Sequence, residues 1–223
     1  TDPQIVIQNM WDGANSFPLL AVPFFMLAGE FMNAGGMTRR IITMAMAWVG
    51  HIRGGLGYVA VMAAIVMASL SGLIACGGVI APVIPPSIGF ILFGVTGGVS
   101  ITKLFIAGIV PGVIMGLAIM LAWHWCTKHD DMKVEPKFTL RQRLKETRDA
   151  AWALVLPVVI IGGLKGGLFT PTEAAVVAAA YSLFAGLFIF REIKVKDLFS
   201  LFLRASETTG VIMFLVAAAG VSA

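Results

Sequence analysis

Apolar runs of about the length a bilayer core demands of a helix recur along this chain, at residues 17–34, 56–72, 72–90, 104–126, 151–169, 172–190 and 208–223. A chain built this way can satisfy its backbone inside lipid only as helices or as a closed barrel. The alternating polar and apolar residues of a barrel strand are missing, so the expected fold class is all-α, a polytopic membrane protein. Composition agrees: 58% of the 223 residues are hydrophobic and 13% charged, where soluble domains carry about a quarter charged residues. Mean hydropathy is +0.91. A shorter run, 38–50, within "MTRRIITMAMAWVG", has Arg39 and Arg40 at one end and fits an interfacial or packed helix as well as a span. The first residues, "TDPQIVIQNMWDGANSF", lack the pattern of a signal peptide. The last, "VAAAGVSA", stop inside an apolar run, so the sequence reads as a piece of a longer chain.

Charge is concentrated. Residues 127–149 form the one long hydrophilic connection and hold Lys128, Lys133, Lys137, Arg141, Arg143, Lys145 and Arg148. A second basic stretch, "REIKVKDLFSLFLR", follows at 191–204, after a two-span hairpin over 151–190 joined by "GGLFTPTE". Both basic connections fall on one face, and the positive-inside rule assigns that face to the cytoplasm. The net charge of +4 therefore bears on orientation rather than on nucleic acid, which is not expected as a partner. Cys76 and Cys126 lie in apolar surroundings and suggest neither a disulfide framework nor a metal knuckle. His51, His124 and His129 are scattered near span ends, and Trp123 and Trp125 read as an aromatic belt.

Two apolar segments carry prolines that a plain span would avoid. In 15–36, "NSFPLLAVPFFMLAGEFMNAGG", Pro18 and Pro23 come early, and Gly35-Gly36 closes the run. In 72–90, "GLIACGGVIAPVIPPSIGF", Pro82 is followed by Pro85 and Pro86. Proline lacks a backbone donor and clashes with the preceding turn, so a break or kink is expected in both segments. Freed carbonyls at that depth must face protein or a water-filled cavity. Broken helices of this kind hold Na⁺ on unwound carbonyls. Gly77, Gly78 and Ile80 precede Pro82, and Ser69, Ser71 and Ser87 add hydroxyl oxygens suited to a hard cation. A kinked packing helix with no ligand accounts for the same residues.

Glu30, Lys165, Glu173 and Glu207 lie in or beside apolar runs, where a charge costs at least ~2.5 kcal/mol. Lys165 and Glu173 sit near a span junction and can reach the interface, and Glu207 closely follows a basic amphipathic stretch. In "FTPTEAA", Thr170 or Thr172 is expected to cap a helix, with Pro and Glu in its first turn. The chain shows no nucleophile–base arrangement and no phosphate loop, so an enzyme is not expected.

Five segments, "GANSFPLLAVPFFMLAGEFMNAGG", "GGLGYVAVMAAIVMASLSG", "ACGGVIAPVIPPSIGFILFGV", "LFIAGIVPGVIMG" and "GLFTPTEAAVVAAAYSLF", together resemble the large membrane subunit of tripartite ATP-independent periplasmic (TRAP) transporters. The resemblance covers almost the whole chain, with the motifs in the family's order. It implies a secondary transporter of the bacterial inner membrane, of the elevator type found in the ion-transporter superfamily. A fixed scaffold and a moving part of re-entrant hairpins and broken helices would carry Na⁺ and an organic acid anion inward. The implied partners are a small four-helix membrane subunit, separate or fused, and a periplasmic binding protein. Sialic acid is the favoured substrate, on the likeness around "GLKGGLFTPTEAAVV", and a C4-dicarboxylate the next.

Carried onto this sequence, the resemblance implies a sodium site at Ser69, Ser71, Gly77, Gly78, Ile80 and Pro82. The first re-entrant hairpin would occupy 15–36, with Asn15, Ser16 and Pro18 at its tip, facing the broken-helix elements of 56–98 with Pro85, Pro86 and Ser87. Residues 205–223, with Thr208, Thr209 and Gly210, would begin the second hairpin. There are two departures. Gly72 runs directly into Leu73 where the family has a further helix and loop, so residues absent from this sequence are expected between them. The family's C-terminal half does not follow Ala223. Rival readings are a sodium-coupled carboxylate carrier that needs no binding protein, and a non-transporting membrane scaffold subunit.

Overall fold

A computed structural model describes residues 15–52, 87–127 and 138–220, together with Gln4, Gln8, Trp11, Gly55, Tyr58, Val59 and Val61. Among these the regular structure is entirely helical. A 3₁₀ turn, Phe17–Leu20, leads into α1 (Ala21–Ala34), and α2 (Met37–Val49) follows. Then come α3 (Ile88–Thr96), α4 (Ile101–Thr127), α5 (Leu140–Lys165) and α6 (Pro171–Phe184), the last extended by a π-helical turn, Ala185–Ile189. A short 3₁₀ turn, Val195–Asp197, opens α7 (Leu198–Gly220). Five stretches are long and apolar enough to cross a membrane: Phe17–Ala34, Ile101–Ala122, Leu140–Lys165, Pro171–Ile189 and Val195–Ala218. The chain is an all-α, multi-pass membrane protein.

The break expected within 15–36 is not there: α1 runs uninterrupted from Ala21 to Ala34. Pro18 occupies the start of the 3₁₀ turn and Pro23 the first turn of α1. Near a helix start a missing N–H costs little, so both prolines shape the entry rather than cut the helix. The chain reverses after α1, at Gly35-Gly36, where Gly36 takes the left-handed conformation with φ 71°. The hydrophilic connection is shorter than 127–149 suggests, because α5 begins at Leu140. Thr139 and Gln142 form a capping box there, the Gln142 Oε1 accepting the Thr139 N–H at 2.9 Å. Residues 205–220 fall within α7, which starts at Leu198, and 221–223 lie outside the described residues. The expected interruption between Gly72 and Leu73 lies outside the described residues.

Among the described residues α1 makes its most extensive helix contact with α6, and the sequence explains why. Lipid tails are as apolar as leucine, so membrane helices associate by close backbone approach across small side chains. On α6 the buried positions include Ala174, Ala175, Ala178 and Ser182; on α1 they include Ala21, Ala28 and Gly29. The stripe ends at Gly35, where a Cβ would lie 3.0 Å from the Gly186 Cα. Larger residues fill the flanks: Leu19, Val22 and Met32 pack with Ile91, Phe105, Leu156 and Ile160 in one core.

The short α2 is held at both ends by residues of the basic connections. Arg39 and Arg40 both pair with Glu192, at 3.0 and 2.8 Å. The Arg40 guanidinium also donates to the Gly36 carbonyl at 3.0 Å and lies 4.0 Å from the Phe190 ring centroid. At the other end, Trp48 Nε1 donates to Thr147 Oγ1 at 3.0 Å, with Arg143 stacked beyond the indole. Both ties reach residues of the basic connections, as suits an interfacial helix. The basic connections therefore share one end with α2. The turns Gly97–Ser100 and Gly166–Thr170 share the other.

Candidate functional site

At the end away from the basic connections lies a cavity of about 460 Å³. Its walls come from three places in the chain: Ser16–Pro18 before α1, the turn between α3 and α4, and the start of α6. The turn is built by Gly97 and Gly98. Gly98 has φ 63°, and the Val99 N–H donates to the Gly94 carbonyl at 3.0 Å. Gly94 packs so tightly on Ile101 that a side chain there would collide. The result is a reversal that sets Ser100, Ile101 and Thr102 at the cavity edge.

Opposite them, Thr170 caps α6. Its N–H donates to Glu173 Oε2 at 2.7 Å, and the Glu173 N–H donates to Thr170 Oγ1 at 3.3 Å. The local reading of "FTPTE" is thus correct, with Thr170 as the cap. Thr172, in the first turn of α6, is 7% exposed and lines the cavity. Phe17, Pro18, Val95 and Val99 make the remaining wall apolar.

Of the residues singled out from sequence, Ser16 and Pro18 line this cavity. Asn15 is exposed just before them, its N–H donating to the Trp11 carbonyl at 2.8 Å. Ser87 is buried at 3% exposure and caps α3, accepting from the Phe90 N–H at 3.4 Å. Thr209 and Gly210 line a different cavity, of about 320 Å³, between α7 and the Pro23, Phe24 and Leu27 side of α1. There the Thr209 hydroxyl is buried with no hydrogen-bond partner. Thr208 is exposed and donates to the Arg204 carbonyl at 3.1 Å. The two expected hairpin segments therefore face separate cavities. Ser69, Ser71, Gly77, Gly78, Ile80, Pro82, Pro85 and Pro86 lie outside the described residues. Among the described residues, no His, Cys, Asp and Glu side chains group as metal ligands.

Ser100, Thr102 and the cavity-lining role of Thr172 were not foreseen. The available signal was positional: Ser100 and Thr170 are each the residue before an apolar run, where a hydroxyl caps a helix.

Comparison with known proteins gives the chain its family. The model of the family described as "Tripartite ATP-independent periplasmic transporter, DctM component" matches it in two segments, residues 1–73 and 71–223. The chain is 49% identical over 251 aligned residues to the 2,3-diketo-L-gulonate TRAP transporter large permease protein YiaN of Escherichia coli (strain K12), covering 100% of this chain and 59% of the relative. It is 48% identical to a protein of Haemophilus influenzae (strain KW20 / Rd) named provisionally as a TRAP transporter large permease, covering 98% of this chain and 58% of the relative. Relatives 38% and 36% identical are named for sialic acid (Haemophilus influenzae strain 86-028NP, 91% of this chain and 38% of the relative) and for C4-dicarboxylates (Pseudomonas aeruginosa, 94% and 56%). The chain thus spans a little over half the length of most of these curated relatives. Matched from its first residue to its last, the chain belongs to the DctM-component family of tripartite ATP-independent periplasmic transporters.

Proposed function

We propose that this chain is part of the large membrane subunit of a secondary carrier that takes up a small organic anion, driven by a sodium gradient, across the bacterial inner membrane. The observation that carries this reading is the family match along the whole chain, joined to the relatives' names. Those names span 2,3-diketo-L-gulonate, sialic acid, C4-dicarboxylates and isethionate. Their shared chemistry is a small, soluble anion. Sialic acid is favoured by the likeness around residues 163–177, and the 49% identical relative adds a second sugar acid. A small membrane subunit and a periplasmic binding protein complete the transporter. Sodium would bind at Ser69, Ser71, Gly77, Gly78, Ile80 and Pro82, where proline frees a carbonyl and serines supply hydroxyls.

We also propose that residues absent from this sequence lie between Gly72 and Leu73. The two family matches meet at residues 71–73, and the alignment with the 49% identical relative runs to 251 residues, more than this chain's 223. The excess suffices for one helix and a loop. Sequencing the gene across this junction tests it: further codons are expected, and an uninterrupted Gly72–Leu73 reading frame overturns it.

Function is tested by uptake into proteoliposomes holding the full-length subunit with its small partner. Accumulation of labelled sialic acid or succinate that needs both an inward sodium gradient and the binding protein is expected. Equal uptake with and without the gradient rules out coupling. Uptake that ignores the binding protein favours the simpler carrier. A correctly inserted Pro82→Ala variant should lose sodium dependence.

A further inference from the structure

The first turns of α5 carry an open recess of about 540 Å³, lined by Arg141, Gln142, Leu144, Lys145 and Arg148. At i, i+4 and i+7 the three cations stand on one side of the helix, along roughly 10 Å of its axis. Like charges so spaced repel one another. A carboxylate within the chain would relieve this, yet Arg141, Lys145 and Arg148 make no ion pair or side-chain hydrogen bond among the described residues. Glu146 and Asp149, the acids of the same stretch, are half-buried and line no part of the recess. Arg143 has a different place, 5.8 Å from the centroid of the Trp48 ring on α2.

The side of α5 that bears the cations continues into the span with other chemistry. Trp152, one turn past Arg148, is 50% exposed, and its carbonyl accepts the Tyr181 hydroxyl at 2.7 Å. Trp and Tyr gather at the headgroup level of a bilayer. Beyond Trp152, Val155, Val158 and Val159 are exposed as well. Cations, then an aromatic ring, then aliphatic side chains follow the order of polarity in a phospholipid, read from headgroup to acyl chain.

We infer that this side of α5 binds an anionic phospholipid of the phosphatidylglycerol class, its phosphate on Arg141, Lys145 and Arg148, its glycerol beside Trp152 and an acyl chain along the three valines. A guanidinium matches a phosphate in shape and charge, and basic segments beside a span draw anionic lipid. A zwitterionic lipid brings its own ammonium group, which three cations repel. A soluble polyanion would leave Trp152 and the valines uncovered. The bound lipid neutralises the repelling cations and fixes the depth of α5. Through the Trp48–Thr147 hydrogen bond it also holds α2 at the interface.

The test reads lipid contact at Trp152, without transport. The full-length subunit is reconstituted in phosphatidylcholine bilayers with increasing fractions of phosphatidylglycerol or phosphatidylcholine carrying brominated chains. Quenching at Trp152 is the difference between the unmodified protein and Trp152→Phe. Half-quenching is expected at a mole fraction about tenfold lower for phosphatidylglycerol than for phosphatidylcholine. Combining Arg141→Gln, Lys145→Gln and Arg148→Gln should bring the two within about twofold. The same loss of charge on the second basic stretch, by Lys194→Gln, Lys196→Gln and Arg204→Gln, should leave the preference in place. Equal quenching by the two lipids, or a preference that survives the loss of the three α5 cations, overturns the inference. Relief of quenching by inorganic phosphate assigns the recess to a soluble anion, and relief by the small membrane subunit assigns this side of α5 to that protein; either overturns it too. If the triple variant fails to insert, Arg148→Gln alone should lower the preference about twofold, and no change overturns the inference.

Discussion

The two ends of this molecule are built from opposite chemistry. At the basic end, charges are met by charges and rings: Arg39 and Arg40 on Glu192, Arg40 over Phe190, and Arg143 beside Trp48. At the far end, hydroxyls, helix N-termini and glycine turns surround a cavity with no charged side chain among its described lining residues. The difference teaches how this membrane protein divides its polar groups. Full charges stay at the interface, where water and headgroups offset their desolvation and where they orient the chain. At the other end the polar groups are neutral hydroxyls and amides whose placement depends on packing, and the α1–α6 stripe of small residues connects the two ends.

The largest expected effect comes from that stripe. Gly186→Val puts a side chain against Ile193 and the Gly35 backbone, and overpacking of this kind typically costs about 1–3 kcal/mol. Thermal unfolding in detergent should show the loss, and an unchanged midpoint would mean that α1 and α6 are not in close contact. Gly36→Ala should cost roughly 1–2 kcal/mol, because φ 71° is strained for any residue with a Cβ. A next, smaller effect belongs to the far end: Thr170→Ala removes the cap of α6 and should cost about 1 kcal/mol, with Thr170→Ser close to neutral. The smallest belongs to the basic end. Glu192 is about a quarter exposed, so Glu192→Gln should destabilise by no more than about 1 kcal/mol and less in high salt. If this change exceeds Gly186→Val, ion pairs rather than small-residue packing hold α1 against α6.

Much of this architecture could be read in the sequence, for identifiable reasons. Spans announce themselves by length and hydropathy, so 17–34 matches Phe17–Ala34, and the 151–190 hairpin reappears as α5, α6 and the π turn. The cap at Thr170 is a local pattern and was equally legible. Pro18 and Pro23 misled because a proline's effect depends on its place in the helix, and nothing in composition shows where the first turn falls. Residues 140–149 look like a polar loop because eight of the ten are polar; the capping signal Thr139–Gln142 was the clue to a helix that starts in water and continues into the bilayer. The cavity itself was not legible. Ser16, Ser100 and Thr172 are far apart in sequence, and only the packing of α1, α4 and α6 brings them together.

The central claim is that the basic end faces the cytoplasm and the hydroxyl-lined end faces outward. Cysteine accessibility in intact cells tests it most directly, with the native cysteines replaced and a membrane-impermeant maleimide added outside. Leu168→Cys, on the far turn, is exposed, and so is Lys145→Cys on α5 beside the basic connection. The account predicts that position 168 labels in intact cells, whereas position 145 labels only after permeabilisation. Labelling of 145 and protection of 168 in intact cells would contradict it.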